Sequence, residues 1–443
     1  MFIVTTVHSS PTMAPKDGCW CWAVVVATFF TQFIICGITY SLGVFHVIFK
    51  DMFNQSHFDT SWVGSILLYV TALSSIMLRF VTSRWGPRVS VMAGGILSAT
   101  GLYLSRFAQD MFHLYLTFGL LTGLGFGLAC SPSIVAVERY FIHGRFRALS
   151  AVLAGVGAGI ITFPMLIRYL VDYFAWRGAM LILSGIALNL CVCGAIMKPT
   201  GHEREMKLMP MLSCVPLQHP LFIGMCFANM FWSFGSTIVY MYLPSYAMAE
   251  GTPFETSVFL MSCVGIASFA SRIMFAVMGP SSTLDDVTST VCSFGLGVVG
   301  YTILFGFYSG FWTTFLSQVS RELLGPEYIA VGNGYLSFMV AIGALTGGPL
   351  AGLLWQHEND FKYVFYLAGA CLLWSSVVMI LFKLKRCRAR IEASGSSGDK
   401  EHLLNGSHSK EHKVPLMHEG SGKEDHTSAT GNDTSVWVQH EGV

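Results

Sequence analysis

Charge is what this sequence has least of. Asp, Glu, Lys and Arg make up 12% of its 443 residues, while 53% are hydrophobic. Soluble domains carry about 25% charged residues, so the composition excludes a water-soluble globule and indicates a polytopic membrane protein. The net charge of +1 leaves no basic footprint for nucleic acid. The 12 cysteines include no CxxC pair, and most, such as Cys191 and Cys193, lie in apolar runs. That pattern suits buried thiols and argues against disulfides or zinc ligands. There is no phosphate-binding loop, no nucleophile and base at a known motif spacing and no cluster of metal ligands. An enzyme, a cofactor and a metal are therefore not expected. A cleavable signal peptide is not expected either, because the first 16 residues are polar and the first long apolar run is already a full span.

What the chain does have is apolar runs, eleven of them: 20–49, 62–81, 89–107, 112–137, 148–171, 178–197, 221–248, 257–278, 287–319, 328–355 and 363–384. Most are near the ~20 residues that cross ~30 Å of hydrocarbon as a helix, so the expected fold is all-α. The first is longer than needed and should tilt or protrude. The 22 Met, 34 Phe and 45 Gly suit packed helices, where small residues allow close approach. A polar link, 198–220, separates six runs (17–197) from five (221–384). The tail 385–443, rich in Ser, Gly, His, Lys and Glu, cannot bury a core and is expected to be disordered.

Lys and Arg at the span ends set the expected orientation. Arg84, Arg88, Arg139, Arg145, Arg147, Lys198, Arg204, Lys207, Lys383, Lys385, Arg386, Arg388 and Arg390 fall on one side, against Lys50, Arg106 and Lys362 on the other. The N-terminal segment 1–16, the link and the tail therefore read as cytoplasmic. Asn54-Gln55-Ser56 then lies in the first outer loop, as a glycosylation sequon of a kind common by chance. Two cytoplasmic ends require an even number of spans. The uncharged run 287–319 is too short for two spans and a turn, which need ~40 residues. Either two short helices are squeezed in, or about half a hairpin is missing.

The run 257–280 carries the main functional signal. Arg272 sits past its middle, with no carboxylate on the same helix. An arginine at membrane depth costs about 2.5–3.5 kcal/mol on insertion scales, so something offsets it. That is either the negative end of a small solute, or a partner on another helix or snorkelling to an interface. Gln32, Asn189 and Asn229 either line a cavity or hydrogen-bond between helices, where such bonds contribute ~0.6 kcal/mol. Arg79 and Arg168 lie near span ends and are expected to snorkel. Asp399 to Leu404 fits an acidic dileucine sorting pattern, which is short enough to arise by chance.

Several short motifs add to this. Asp17-Gly18-Cys19-Trp20-Cys21-Trp22 opens the first run, with Thr60-Ser61-Trp62, Trp85-Gly86-Pro87-Arg88 and Met92-Ala93-Gly94-Gly95 further on. Gly123-Leu124-Gly125, Tyr140-Phe141, Trp176-Arg177-Gly178 and Gly347-Gly348-Pro349-Leu350 follow. Over about 17–385 this set resembles the monocarboxylate transporter family of the major facilitator superfamily, with Cys19 and Cys21 where the family's opening motif has glycines.

The resemblance implies two six-span halves with a solute site near the midplane between them. It also implies secondary transport of a small carboxylate-bearing organic anion by alternating access, and a multi-pass protein of the plasma membrane. Some members travel with a single-span immunoglobulin-type chaperone. Residues 287–303 resemble the start of span nine and 305–326 resemble span ten and the following loop, so the join near Ile303-Leu304 lacks the end of span nine and its outer turn. The family's proton-linked lactate carriers use a lysine in span one, and an aspartate and an arginine four apart in span eight. Here the matching residues are Tyr40, Ser268 and Arg272. Neither Tyr40 nor Ser268 can do the work of the ionisable residue it replaces, so an ordinary proton–lactate symporter is not expected. Glu138 and Asp172 lie at span ends and read as loop-end charges. The candidate solute-binding residues are Arg272, Tyr40, Ser268 and Asn229. The alternative from another class is a non-transporting, shortened isoform acting as a membrane interaction protein.

Overall fold

The computed structural model describes residues 19–77, 79–141, 145–198, 215–218, 220–278, 298–378 and 381. The N-terminal segment, most of the link, the sorting pattern and the tail lie outside these. Among the described residues all regular structure is helical, as the composition requires. The elements are α1 (Cys19–Tyr40), α2 (Leu42–Phe53), α3 (His57–Met77), α4 (Arg79–Ser105), α5 (Met111–Leu114), α6 (Thr122–Tyr140), α7 (Arg145–Ile196), α8 (Pro220–Ala249), α9 (Phe254–Met278) and α10 (Val298–Glu358). A last helix, α11 (Phe361–Val378), follows. A π-helical stretch, Tyr115–Leu121, joins α5 to α6. Among the described residues, seven helices are long and apolar enough to cross a membrane on length and composition alone.

The first apolar run is broken, and three further helices are broken or doubled. The first apolar run, expected as one long span, divides at Ser41, whose hydroxyl bonds back to the Gly37 carbonyl at 2.6 Å. Gly86 interrupts α4 with φ 81°, a left-handed conformation that glycine tolerates, and Pro87 then starts the next helix with its φ already set. Ala175, at φ 54°, divides α7 into two crossings. α10 has 61 residues and doubles back. Asn229 bonds both Trp312 and the Leu336 carbonyl, points that a straight helix would hold roughly 36 Å apart at 1.5 Å per residue. The reversal lies near Leu324, whose side chain meets Gly332.

The helices form two halves with apolar cores, one built mainly by α1 to α7 and the other mainly by α8 to α11, with Val258 of α9 in the first core and Val156 and Ile160 of α7 in the second. They meet where α7 crosses α9. A Cβ on Gly265 would lie 2.6 Å from the Ile161 nitrogen, and one on Gly157 would lie 2.7 Å from the Phe269 Cα. On the opposite flank the second arm of α10 packs on α3, with Gly352 against Phe58. Trp20, Arg139, Arg147 and Lys198 share one end of the bundle, where Lys198 lies 3.8 Å over the Trp20 ring. This is the basic end. Arg106, Arg168 and Lys362 lie at the other.

The first arm of α10 runs parallel to α9: Gly306 abuts Val264, Gly310 abuts Ser268 and Thr313 meets Arg272. Residues 298–303 belong to that same continuous helix. They therefore extend the crossing expected at 305–326 instead of beginning a separate one. The remainder of the expected ninth span lies outside the described residues.

Candidate functional site

The site is built on α9. Its apolar run makes Phe254–Met278 a helix, and i to i+4 spacing places Ser268 directly before Arg272 on one face. Arg272 is 3% exposed. Its Nη1 donates to Ser268 Oγ and, at 3.3 Å, to the Ser268 carbonyl. Its Nη2 reaches Thr313 Oγ1 on α10 at 3.5 Å, and its Nε is buried without any partner. No carboxylate meets it among the described residues. A full positive charge is thus held by neutral oxygens, with the Nε–H among the N–H groups left over.

Across the seam between the halves lie aromatic hydroxyls. Tyr40, the last residue of α1 before the break at Ser41, packs on Tyr240 of α8 with ring centroids 4.6 Å apart. The Tyr240 hydroxyl pairs with Ser309 Oγ at 3.1 Å. Tyr240, Tyr40 and Cys36 are all close enough to act on the charge of Arg272. The broken helix end, the arginine and the tyrosines therefore converge between the two halves, as non-helical backbone at membrane depth does where it lines a site. Chemically the arrangement offers a planar cation and neutral donors to an anion, with no general base.

Of the expected site residues, Arg272, Tyr40 and Ser268 come together. Asn229 lies elsewhere in the second half. Its Nδ2 donates to the Leu336 carbonyl at 3.2 Å, and its Oδ1 accepts from Trp312 Nε1 at 3.3 Å. Gln32 joins α1 to α6, donating to the Cys130 carbonyl and Ser133 Oγ, both at 3.4 Å. Asn189 is exposed and bonds carbonyls of its own helix. Arg168 is held by Asp172 at 2.8 Å and by Glu255 at 3.2 Å, and lies 4.7 Å from the Phe254 ring centre, so it ties the halves together. The side chain of Arg79 lies outside the described residues. Tyr240, Ser309 and Thr313 were not singled out from the sequence. The four-residue spacing of Ser309 and Thr313 in an uncharged run was the available signal.

The Major Facilitator Superfamily profile matches residues 28–320. Bovine (Bos taurus) monocarboxylate transporter 13 is 32% identical over 427 residues, covering 93% of this chain and 99% of that protein. Human monocarboxylate transporter 12 is 30% identical over 434 residues, covering 86% of this chain and 84% of that one.

The chain belongs to the monocarboxylate transporter family.

Mouse monocarboxylate transporter 6, at 28% identity, covers 82% of the chain. The relatives are transporters and not enzymes, and the chain is a multi-pass membrane protein of the secondary-transporter class.

Proposed function

We propose that this monocarboxylate transporter family member moves a small carboxylate-bearing organic solute across the plasma membrane. The two halves rock about a site in which Arg272 is the anion anchor. The observation that carries the reading is the buried guanidinium with an unpartnered Nε and no carboxylate beside it. A solute carboxylate supplies the missing charge and accepts two parallel bonds from the planar fork. Tyr40 and Ser268 complete the pocket as neutral groups. With no carboxylate in it, the site carries no proton of its own, so solute movement is not energised there as in a proton–lactate symporter. A single-span immunoglobulin-type chaperone is a fitting partner on family grounds alone.

The test is to measure surface protein and uptake side by side across a panel of labelled monocarboxylates. Arg272→Ala is expected to abolish uptake and leave surface abundance within about twofold, because no protein carboxylate is stranded by its loss. Arg272→Lys keeps the charge and loses the fork, and is expected to be impaired as well. Wild-type uptake in Arg272→Ala would overturn the assignment. A second reading, an interaction protein without transport, is favoured by one observation: α9 and the first arm of α10 run in the same direction with only residues 279–297 between them. Absence of flux for every solute tested, in protein that reaches the surface, would favour it.

A further inference from the structure

At the end of the bundle opposite the basic one, His46 of α2 and His57 of α3 form a buried pair. His46 Nε2 and His57 Nδ1 are 2.9 Å apart, and the two rings stack at 5.2 Å. The pair lies in the seam between the halves. His46 packs edge-on against Tyr242 of α8 at 5.0 Å, and His57 packs against Trp355 of α10 at 4.2 Å and Phe361 at 5.5 Å. The Tyr242 hydroxyl lies 3.0 Å from the Gly348 carbonyl and 3.4 Å from that of His57. Parting the halves at this end must therefore uncover the pair.

One hydrogen fits between the two facing nitrogens. His46 Nδ1 is buried with no partner. If His57 were the donor, His46 Nδ1 would carry a buried N–H with nothing to accept it. The neutral pair is therefore His46 Nε2–H donating to His57 Nδ1, and bare Nδ1 of His46 is the buried place left for another proton. A proton there creates a cation whose new N–H has no acceptor.

Among the described residues, the surrounding elements offer that cation no carboxylate. Lys50, one turn along α2, is itself a cation, 5.7 Å from the Trp355 ring centre. Asp51 on α2 is exposed. Asp59 of α3 accepts from Ser56 Oγ at 2.6 Å. On α8, Tyr242 is engaged with the carbonyls above, Tyr246 packs on Phe365, and Glu250 is exposed. His357 and Glu358 pair with each other at the end of α10, and Asp360 lies 4.0 Å from Lys362 at the start of α11.

We propose that the His46–His57 pair is a proton-binding site at the outer seam, neutral while the halves are closed there and protonated when they part. The proposal rests on the alternating movement and orientation given above. Acid on the outer side then favours opening, and the closed form is lost as pH falls. The proton enters from the outer side and returns to it on closure. The pair thus sets how readily that side opens without carrying protons across, and the Arg272 site stays uncoupled. If one histidine titrates near its ordinary value of about 6.5 only in the open form, opening becomes about tenfold more favourable from about pH 7.5 to about pH 5.5.

Hydrogen exchange on the full chain in lipid nanodiscs, corrected for intrinsic rates, tests this without any substrate. Protection in 42–61 and 348–361 is expected to fall about tenfold over that interval, with the basic end unchanged. Either single variant leaves one histidine able to titrate on opening, so the step is expected to vanish in the double variant His46→Gln/His57→Gln. No step in the wild type, an equal step at the basic end, or a step that persists in the double variant would overturn the proposal. Should that variant misfold, nitrogen-labelled histidine spectra of the wild type decide. A hydrogen-bonded neutral pair that gains a proton over the same interval supports it, and a pair charged at the start or neutral throughout overturns it. An intact pH step without solute flux would count against the transport reading alone.

Discussion

A polar side chain within an apolar helix is held either by its own helix or by a neighbour, and the two cases have different consequences. Asn189 bonds carbonyls one turn back and is exposed, so Asn189→Ala is expected to change stability by less than about 0.5 kcal/mol. Asn229 joins three helix segments through both ends of its amide. Asn229→Ala leaves the Trp312 N–H and the Leu336 carbonyl unmet, at about 1–3 kcal/mol for each buried group. A lower unfolding temperature in detergent, absent in Asn189→Ala, is the expected result. Flux lost at unchanged stability would instead place Asn229 in the solute path.

Helix packing across the seam depends on small residues at particular heights. The α7–α9 crossing brings backbone against backbone at Gly157 and Gly265, so an added side chain there meets main-chain atoms that cannot rotate away. Gly265→Val is expected to cost about 1–3 kcal/mol through overpacking and to lower the yield of monodisperse protein in size-exclusion profiles. Gly185, also within α7, has nothing within 4 Å of its would-be Cβ. Gly185→Val is the matched control, expected to be near neutral. The break at Ser41 is a second feature of this kind, because it frees the end of α1 and lets Tyr40 meet Tyr240 from the other half.

For the whole molecule, the positions of the charges predict the sidedness. Tags at the N-terminus, in the link and on the tail are all expected on the cytoplasmic face, because the basic residues collect at one end of the bundle. A tail reached by impermeant reagents on intact cells would contradict that. Energetics follow from the same architecture. With Tyr40 and Ser268 lacking the ionisable pair, a pH gradient is not expected to drive lactate accumulation in vesicles. Acid-driven accumulation, absent in a transport-dead control, would show a proton carrier elsewhere in the chain.

The sequence by itself determined the membrane-spanning class, the helical fold and the family, and it marked Arg272 as the candidate anchor. Each of these follows from local facts: too little charge for a soluble surface, runs of bilayer length, short motifs, and a cation out of place in oil. It also gave the Ser268–Arg272 contact, since a helix fixes what lies one turn away. Only the tertiary structure decided which groups from distant helices come together. Tyr40 meets Tyr240, Thr313 meets Arg272, Trp312 and Leu336 share Asn229, and His46 meets His57 in the seam between halves. The physical reason is that lateral contacts depend on how helices rotate, cross and double back, which 3.6-residue periodicity leaves open. The doubling of α10 shows this most directly: the sequence separates the runs 287–319 and 328–355, and only the bonds at Asn229 reveal which faces of the two arms meet.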